Sequence, residues 1–396
     1  MIEFKNVDVV FGKQPERALP LMDSGQSIQQ IQESTGLTAA VRNVSLSVGK
    51  GEICVLMGLS GSGKSSLLRT ANGLNSVARG QVFIETENGK QNFHELNEED
   101  KRNARMNRIT MVFQKFALMP WLTVAENVGF GLEQKGLDKA TVKAKALEQL
   151  ELVGLAEWAD SKPHQLSGGM QQRVGLARAF AMETDIILMD EPFSALDPLI
   201  RTQLQDELLR LQEKLNKTVI FVSHDLDEAL KLGNHIAIMK DGEVVQHDTP
   251  ENIVMKPATD YVRDFVAHIN PVNVVNAQSL MRPMADIKQE NDEYCLSQRD
   301  DVWLSMADNL SDAFIRYGDQ KTPVKYWQIS DEQSIEGLDK SAVLIVPLDT
   351  KMQDVMALRY QSGHAVLVES QGELVGYIGD REIYHAMLGK LMDAND

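Results

Sequence analysis

An α/β fold followed by a smaller α+β domain is what this sequence predicts, on three observations. Over the first two thirds, short β-rich apolar runs alternate with helix-compatible runs, as in a sheet covered by helices. The apolar run from Ile53 to Met57 leads into the turn Gly58-Leu59-Ser60-Gly61-Ser62-Gly63-Lys64-Ser65, and a helix-compatible run through Ser66, Leu67 and Leu68 follows. Near Asn270-Pro271 the pattern changes, and a second, shorter set of strand and helix signals begins. The first domain is therefore set at 1–270 and the second at 271–396.

The turn after Met57 has the P-loop pattern. Its glycines let backbone N–H groups turn inward and cradle phosphate oxygens. A helix start at the same place adds partial positive charge. Lys64 would neutralise the β- and γ-phosphates of a nucleoside triphosphate, and the Ser65 hydroxyl would hold Mg²⁺. Gly58, Ser60, Gly61, Gly63 and Ser66 complete the expected phosphate-binding set.

The other elements follow in chain order. A first strand ends at Val10-Phe11-Gly12, and a segment from Gln14 to Thr38 intervenes, with helix-like Ile28-Gln29-Gln30-Ile31-Gln32-Glu33. The apolar run from Ile109 to Phe113 ends at Gln114. Lys115 to about Lys162 reads mainly as helices, with Leu147, Leu150 and Leu152 in an amphipathic stretch. Leu166-Ser167-Gly168-Gly169-Met170-Gln171-Gln172-Arg173 opens a small-residue helix, with Ser167 as its cap. Ile186-Ile187-Leu188-Met189 reads as a buried strand ending in Asp190-Glu191. Leu204, Leu208, Leu211 and Leu215 form a helical stripe expected in the core. Thr218 to Ser223 is a further β-rich run before His224, and Asp241-Gly242 marks a hairpin between Ile236–Met239 and Glu243–Val245. An antiparallel sheet is expected beside the α/β core.

Beyond the boundary, Ala342-Val343-Leu344-Ile345-Val346 is strand-like and Met352 to Tyr360 helix-like. Strand-like Ala365-Val366-Leu367-Val368, a turn at Gln371-Gly372, and Leu374-Val375-Gly376-Tyr377-Ile378 follow, and a closing helix runs from Asp380 to Leu388.

The chain carries 40 basic and 57 acidic residues, for a formal charge of −17, which disfavours nonspecific nucleic-acid binding or adhesion to anionic lipid. No apolar run is long enough to span a bilayer and no signal peptide is visible, so a soluble multidomain protein is expected, and membrane work would need a separate subunit. Cys54 and Cys295 lie far apart without metal-ligand spacing, and Cys54 reads as reduced packing.

The segment Leu166–Arg173, after a P-loop at this distance, resembles the signature motif of ABC-type ATPases. That resemblance covers about the first two thirds of the chain and implies ATP with Mg²⁺ as ligands. It implies that Ser167, Gly168 and Gly169 face the γ-phosphate of ATP held by a second subunit, in a two-fold homodimer. Asp190 then corresponds to the Walker B carboxylate that assists Mg²⁺, usually through water. Glu191 becomes the candidate general base, His224 the switch histidine at the γ-phosphate, and Gln114 the Q-loop glutamine that approaches Mg²⁺ and the transport subunit. Asp197, in Ser194-Ala195-Leu196-Asp197, belongs to a D-loop that couples the two sites. Phe11 is the expected aromatic on the adenine. Residues at about 115–165 match the helical subdomain that meets a transmembrane permease.

Within that family, the insertion from Gln14 to Thr38 is similar to that of ATPases from glycine betaine/proline betaine importers, the ProU and OpuA type. So are Phe116-Ala117-Leu118-Met119-Pro120, Phe193 to Arg201, and Ser223-His224-Asp225-Leu226-Asp227-Glu228-Ala229. The resemblance implies a subunit at the cytoplasmic face of the bacterial inner membrane, served indirectly by a substrate-binding protein. The transported solute would be a quaternary or methylated amine such as glycine betaine, proline betaine or choline; the runner-up is another small polar solute. The strand–helix–strand–strand–helix order after Ala342 resembles a CBS motif, with Ala277 to Tyr317 as its degenerate partner. The domain then either binds a nucleotide or serves as a ligand-free regulatory or dimerising module. Its many acidic residues, Asp300-Asp301, Asp331-Glu332 and Asp339 among them, suggest a response to ionic strength. A soluble ABC protein acting on ribosomes or DNA is the alternative class; one P-loop, no sustained heptads and an acidic balance speak against it.

Overall fold

The computed structural model describes residues 1–86, 89–291, 293–297, 301–306, 313–326 and 342–387 of the chain. Two compact units divide it: Met1–Ile253 with Ala258–Val262, and Val254–Pro257 with Arg263–Asp396.

The first unit is built on two sheets. Its six-stranded sheet runs in the order Glu243–Asp248, His235–Lys240, Ile53–Met57, Thr218–Val222, Ile186–Asp190 and Ile109–Val112. All pairs are parallel except the terminal hairpin, which turns at Asp241 and Gly242, both at positive φ as the Asp-Gly pair predicts. Every residue of Ile53–Met57, Ile186–Asp190 and Thr218–Val222 is buried, which is why these strands read as unbroken apolar runs rather than alternating ones. Parallel pairing brings their C-terminal ends to one edge, so Gly58, Gln114, Glu191 and Ser223 leave the sheet side by side. A four-stranded antiparallel sheet, in the order Thr38–Val48, Ile2–Phe11, Arg79–Thr86 and Gly89–Asn92, shares its core with the first through Phe4, Val41, Ile84, Leu56 and Leu188.

The insertion folds onto the antiparallel sheet with a small core of its own. Helix Ile28–Thr35 starts in a capping box of Ser27 and Gln30 and stops at Gly36, whose φ is +70°. Ala18, Met22, Ile31 and Leu37 pack with Val10 and Ala39. Arg79 fastens the segment: its Nε donates to buried Asp8 at 2.6 Å, and its two terminal nitrogens donate to Asp23 at 2.9 and 2.7 Å.

Helices Val124–Gln134, Lys139–Leu152 and Gly168–Ala181 form the helical part. The leucine stripe of Pro198–Leu215 holds only in part: Leu204 and Leu208 are buried, but Leu215 is 48% exposed, because the helix ends there and Asn216 turns the chain away at φ +49°. The Leu211 side chain lies outside the described residues.

Among the described residues, the second unit has a nine-stranded sheet. At one end, strands Val343–Pro347, Val366–Ser370 and Glu373–Ile378 and helices Met352–Ser362 and Asp380–Met387 give the expected CBS-like α+β order. Both faces of its parallel pair are covered: Leu344, Val346, Val366 and Val368 pack with Val355 and Leu358, while Val343, Ile345 and Leu367 pack with Leu304 and Ile315. The segment read as a degenerate second copy, 277–317, differs. After the short helix Ala277–Leu280, strand Arg282–Pro283 pairs with Glu373–Ile378, and Gln289–Glu290, Glu293–Ser297, Val302–Ser305 and Phe314–Tyr317 form an antiparallel ladder. Burial alternates along Val302, Trp303, Leu304 and Ser305, as in an antiparallel strand with one face toward the core. Asp300, Asp331, Glu332, Asp339 and Leu388 lie outside the described residues.

Candidate active site

The glycine-rich loop closes over its own lysine. A Cβ at Gly58 would stand 2.1 Å from the Met239 carbonyl oxygen, and one at Gly63 2.2 Å from that of Ala40, so both positions exclude a side chain. Gly61, at φ +82°, has nothing within 4 Å of a Cβ and, with Ser60, leaves its backbone open. Lys64 Nζ donates to the carbonyls of Gly58 at 2.8 Å and Leu59 at 2.9 Å. Burial pulls its ammonium below the ordinary value, while Glu191 and Asp190 oppose that shift. The helix behind the loop spans Lys64–Leu68, where the helix-compatible run of the sequence also ends. Ser66 follows in the same turn.

Asp190 is fully buried at the end of its strand. Its Oδ1 accepts from Ser65 Oγ at 2.6 Å and its Oδ2 from Arg69 at 2.9 Å. A hydroxyl and a carboxylate at this spacing are hard oxygen donors beside the phosphate loop, a set that fits Mg²⁺.

Glu191 stands next, with φ +49°, a left-handed conformation that costs a non-glycine residue about 1–2 kcal/mol. Its amide donates to the Val222 carbonyl at 3.1 Å. Its Oε2 accepts from Gln114 Nε2 at 2.9 Å, and His224 Nδ1 lies 3.6 Å from the same oxygen. A cavity of about 30 Å³ beside it, lined by Glu191, Ser194, His224 and Asp225 among others, has room for about one water. Behind it, buried Glu228 accepts from Ser223 Oγ and from Gln205 Nε2, and burial raises its carboxyl above the usual range.

Lys64, Ser65, Asp190, Glu191, Gln114 and His224 thus come together at one sheet edge. Ser167, Gly168 and Gly169 form a separate group: Ser167 caps Gly168–Ala181 by accepting from the Met170 amide at 3.3 Å, and Ser167 and Gly168 are exposed. Asp197 caps Pro198–Leu215, accepting from Ile200 at 3.0 Å. Phe11 ends its strand 43% exposed.

Three polar residues of the site escape the sequence reading. Arg69 holds Asp190, Gln172 bonds the Glu191–Ala195 backbone, and Arg178 donates to the carbonyls of Phe116 at 3.1 Å and Ala117 at 2.7 Å. Only Gln172 left a signal, since it falls one turn after Gly169 on the same helix face.

A P-loop, a buried strand-end aspartate with a glutamate beside it, and a serine-capped glycine pair on a helical arm together define an ATP-binding cassette ATPase. The family model described as ABC transporter matches residues 41–194. The chain is 40% identical over 401 residues to the glycine betaine/proline betaine transport system ATP-binding protein ProV of Salmonella typhimurium, spanning 98% of this chain and 97% of that one. It is 50% identical over 282 residues to the trimethylamine N-oxide transport system ATP-binding protein TmoW of Ruegeria pomeroyi, spanning 71% and 82% of the two chains. Among solved structures, the dimeric ATP-binding cassette MJ0796 in a post-hydrolysis state bound to ADP and Pi is similar, with TM-score 0.54 and 34% identity over 63% of this chain and 99% of that one. The chain belongs to the ABC transporter ATP-binding subunits, in the branch of quaternary-amine importers. Among the described residues, no helix is long and apolar enough to cross a membrane.

Proposed function

We propose that this chain binds and hydrolyses ATP to energise import of a quaternary or methylated amine through a separate permease. The observation that carries the reading is the Glu191 carboxylate, bonded by Gln114 with His224 3.6 Å away, next to buried Asp190, which accepts from Ser65. Gly58, Ser60, Gly61, Gly63, Lys64, Ser65 and Ser66 bind the phosphates, and Phe11 stacks on the adenine. Ser65 and Asp190, with Gln114, hold Mg²⁺, which when bound neutralises phosphate charge. Glu191 takes the proton of the attacking water, and His224 steadies the γ-phosphate. Ser167, Gly168, Gly169 and Asp197 act on ATP held by the second copy of a homodimer. Likeness to ProV and TmoW supports glycine betaine, proline betaine or trimethylamine N-oxide as the solute, and choline belongs to the same chemical class. The subunit works peripherally at the cytoplasmic face of the cell membrane, with a substrate-binding protein as indirect partner, and its second unit regulates it.

The test is reconstitution in liposomes with its permease and binding protein. Methylated amines should drive ATP-dependent uptake, and small amino acids or sulfonates should not. Uptake of the latter alone would overturn the solute class.

A further inference from the structure

Gln172 is 1% exposed and lies in the second turn of helix Gly168–Ala181. Both ends of its side chain go to one short loop. Nε2 donates to the Glu191 carbonyl at 3.1 Å, and Oε1 accepts from the Ala195 amide at 3.1 Å. One turn earlier, Gly169 packs so closely that a Cβ there would stand 3.2 Å from the Ala195 carbonyl oxygen. The Glu191 amide is held by Val222, and Ser194 Oγ also donates to the Glu191 carbonyl, at 3.0 Å. The peptide groups on either side of the Glu191 Cα are therefore both fixed, in a conformation the residue would not choose alone.

We propose that Gln172 is a positioning residue for ATP hydrolysis. It sets the backbone of the general base from the same helix whose first turn serves the opposite ATP site. The inference rests on the reading of Glu191 as base and of Ser167–Gly169 as acting on the partner's nucleotide. The chemistry asks for a neutral amide, because one end must donate and the other accept. A carboxylate of the same size can only accept, and would set its charge against the Glu191 carbonyl. Loss of the brace frees Glu191 from its aimed conformation, while the phosphate loop, which does not share these bonds, keeps its shape. Turnover falls and nucleotide affinity stays.

The test compares full-length Q172A, Q172E and E191Q with the wild type. Nucleotide affinity is read with a fluorescent ATP analogue and Mg²⁺, turnover by phosphate release, and folding by calorimetry. Turnover should fall roughly 10- to 100-fold in both Gln172 variants, with the dissociation constant within about twofold of wild type. Q172E should be at least as impaired as Q172A despite its native volume. Near-normal turnover in folded Q172E overturns the proposal. So does a loss of nucleotide affinity in step with turnover, which would make the residue part of the binding fold only. If Q172A does not fold, Q172E carries the comparison. E191Q separates the two readings: wild-type turnover there removes the base and with it any role in positioning it, whereas an inactive E191Q beside a normal Q172E removes the brace alone.

Discussion

Gln114 Nε2 lies 2.9 Å from Glu191 Oε2, so the carboxylate that should receive a proton is already engaged by an amide from the neighbouring strand end. That bond fixes one carboxylate oxygen and leaves the other to face water. Glu191→Gln should keep ATP affinity but lower turnover roughly 100-fold or more. It should also trap an ATP-bound dimer, seen by size-exclusion chromatography at saturating ATP. A monomer with wild-type turnover would refute both claims.

Lys64→Ala removes the cation that now bonds the loop carbonyls and should meet the phosphates. Binding of ATP or its hydrolysis should be largely lost, checked by nucleotide titration and phosphate release. Normal turnover would sink the phosphate-loop assignment.

Arg79 offers a contrast of magnitudes. Its Asp8 partner is 1% exposed and its Asp23 partner 58% exposed. Arg79→Met leaves the buried Asp8 carboxylate with the Asn43 amide but no cation and should cost about 2–4 kcal/mol, whereas Asp23→Asn, at the surface, should cost far less. Urea unfolding distinguishes them; equal losses would mean that Asp8 finds another partner.

Glu228 gives a pH signature. Its carboxyl is raised in the folded state because burial disfavours the charge, although Ser223 and Gln205 lessen the effect. The folded form holds the proton more tightly, so stability falls as pH rises from the unfolded value of about 4.3 through the raised one. Glu228→Gln should therefore raise the melting temperature at pH 8, and the gain should vanish at pH 4. A gain that does not change with pH would refute the burial argument.

Truncation after Asn270 tests the second unit. Reconstituted with the permease, the shortened chain should keep basal hydrolysis but lose its response to ionic strength, as screening shortens from about 10 Å at 0.1 M to about 3 Å at 1 M. A full salt response would leave the unit a structural or dimerising appendage.

What the sequence made legible was whatever one short segment decides. The strands at 53–57, 186–190 and 218–222 are buried on both faces and so announce themselves as apolar runs. The loop at 58–65 and the residues after each strand were readable for the same reason. Bonds between distant segments were not: nothing near Arg69 marks a tie to Asp190, 121 positions away, and nothing near Arg178 marks the carbonyls of Phe116 and Ala117. The ladder that pairs Cys295 with Trp303 and Leu304 with Ile315 is not legible either, since its strands are short and Val302-Trp303-Leu304 shows no polar–apolar alternation.

Helix Gly168–Ala181 grips the chain at two levels, Gln172 on the Glu191 loop and Arg178 on Phe116 and Ala117. The two are six positions apart, roughly 9 Å along the axis. For a rod of that arm length, a tilt of about 10° moves one grip by roughly 1.5 Å relative to the other, and a hydrogen bond does not survive that stretch. The helix therefore works as a short stiff lever: force applied near Ala117 must either turn the rod with its loops or break the Gln172 or the Arg178 hold.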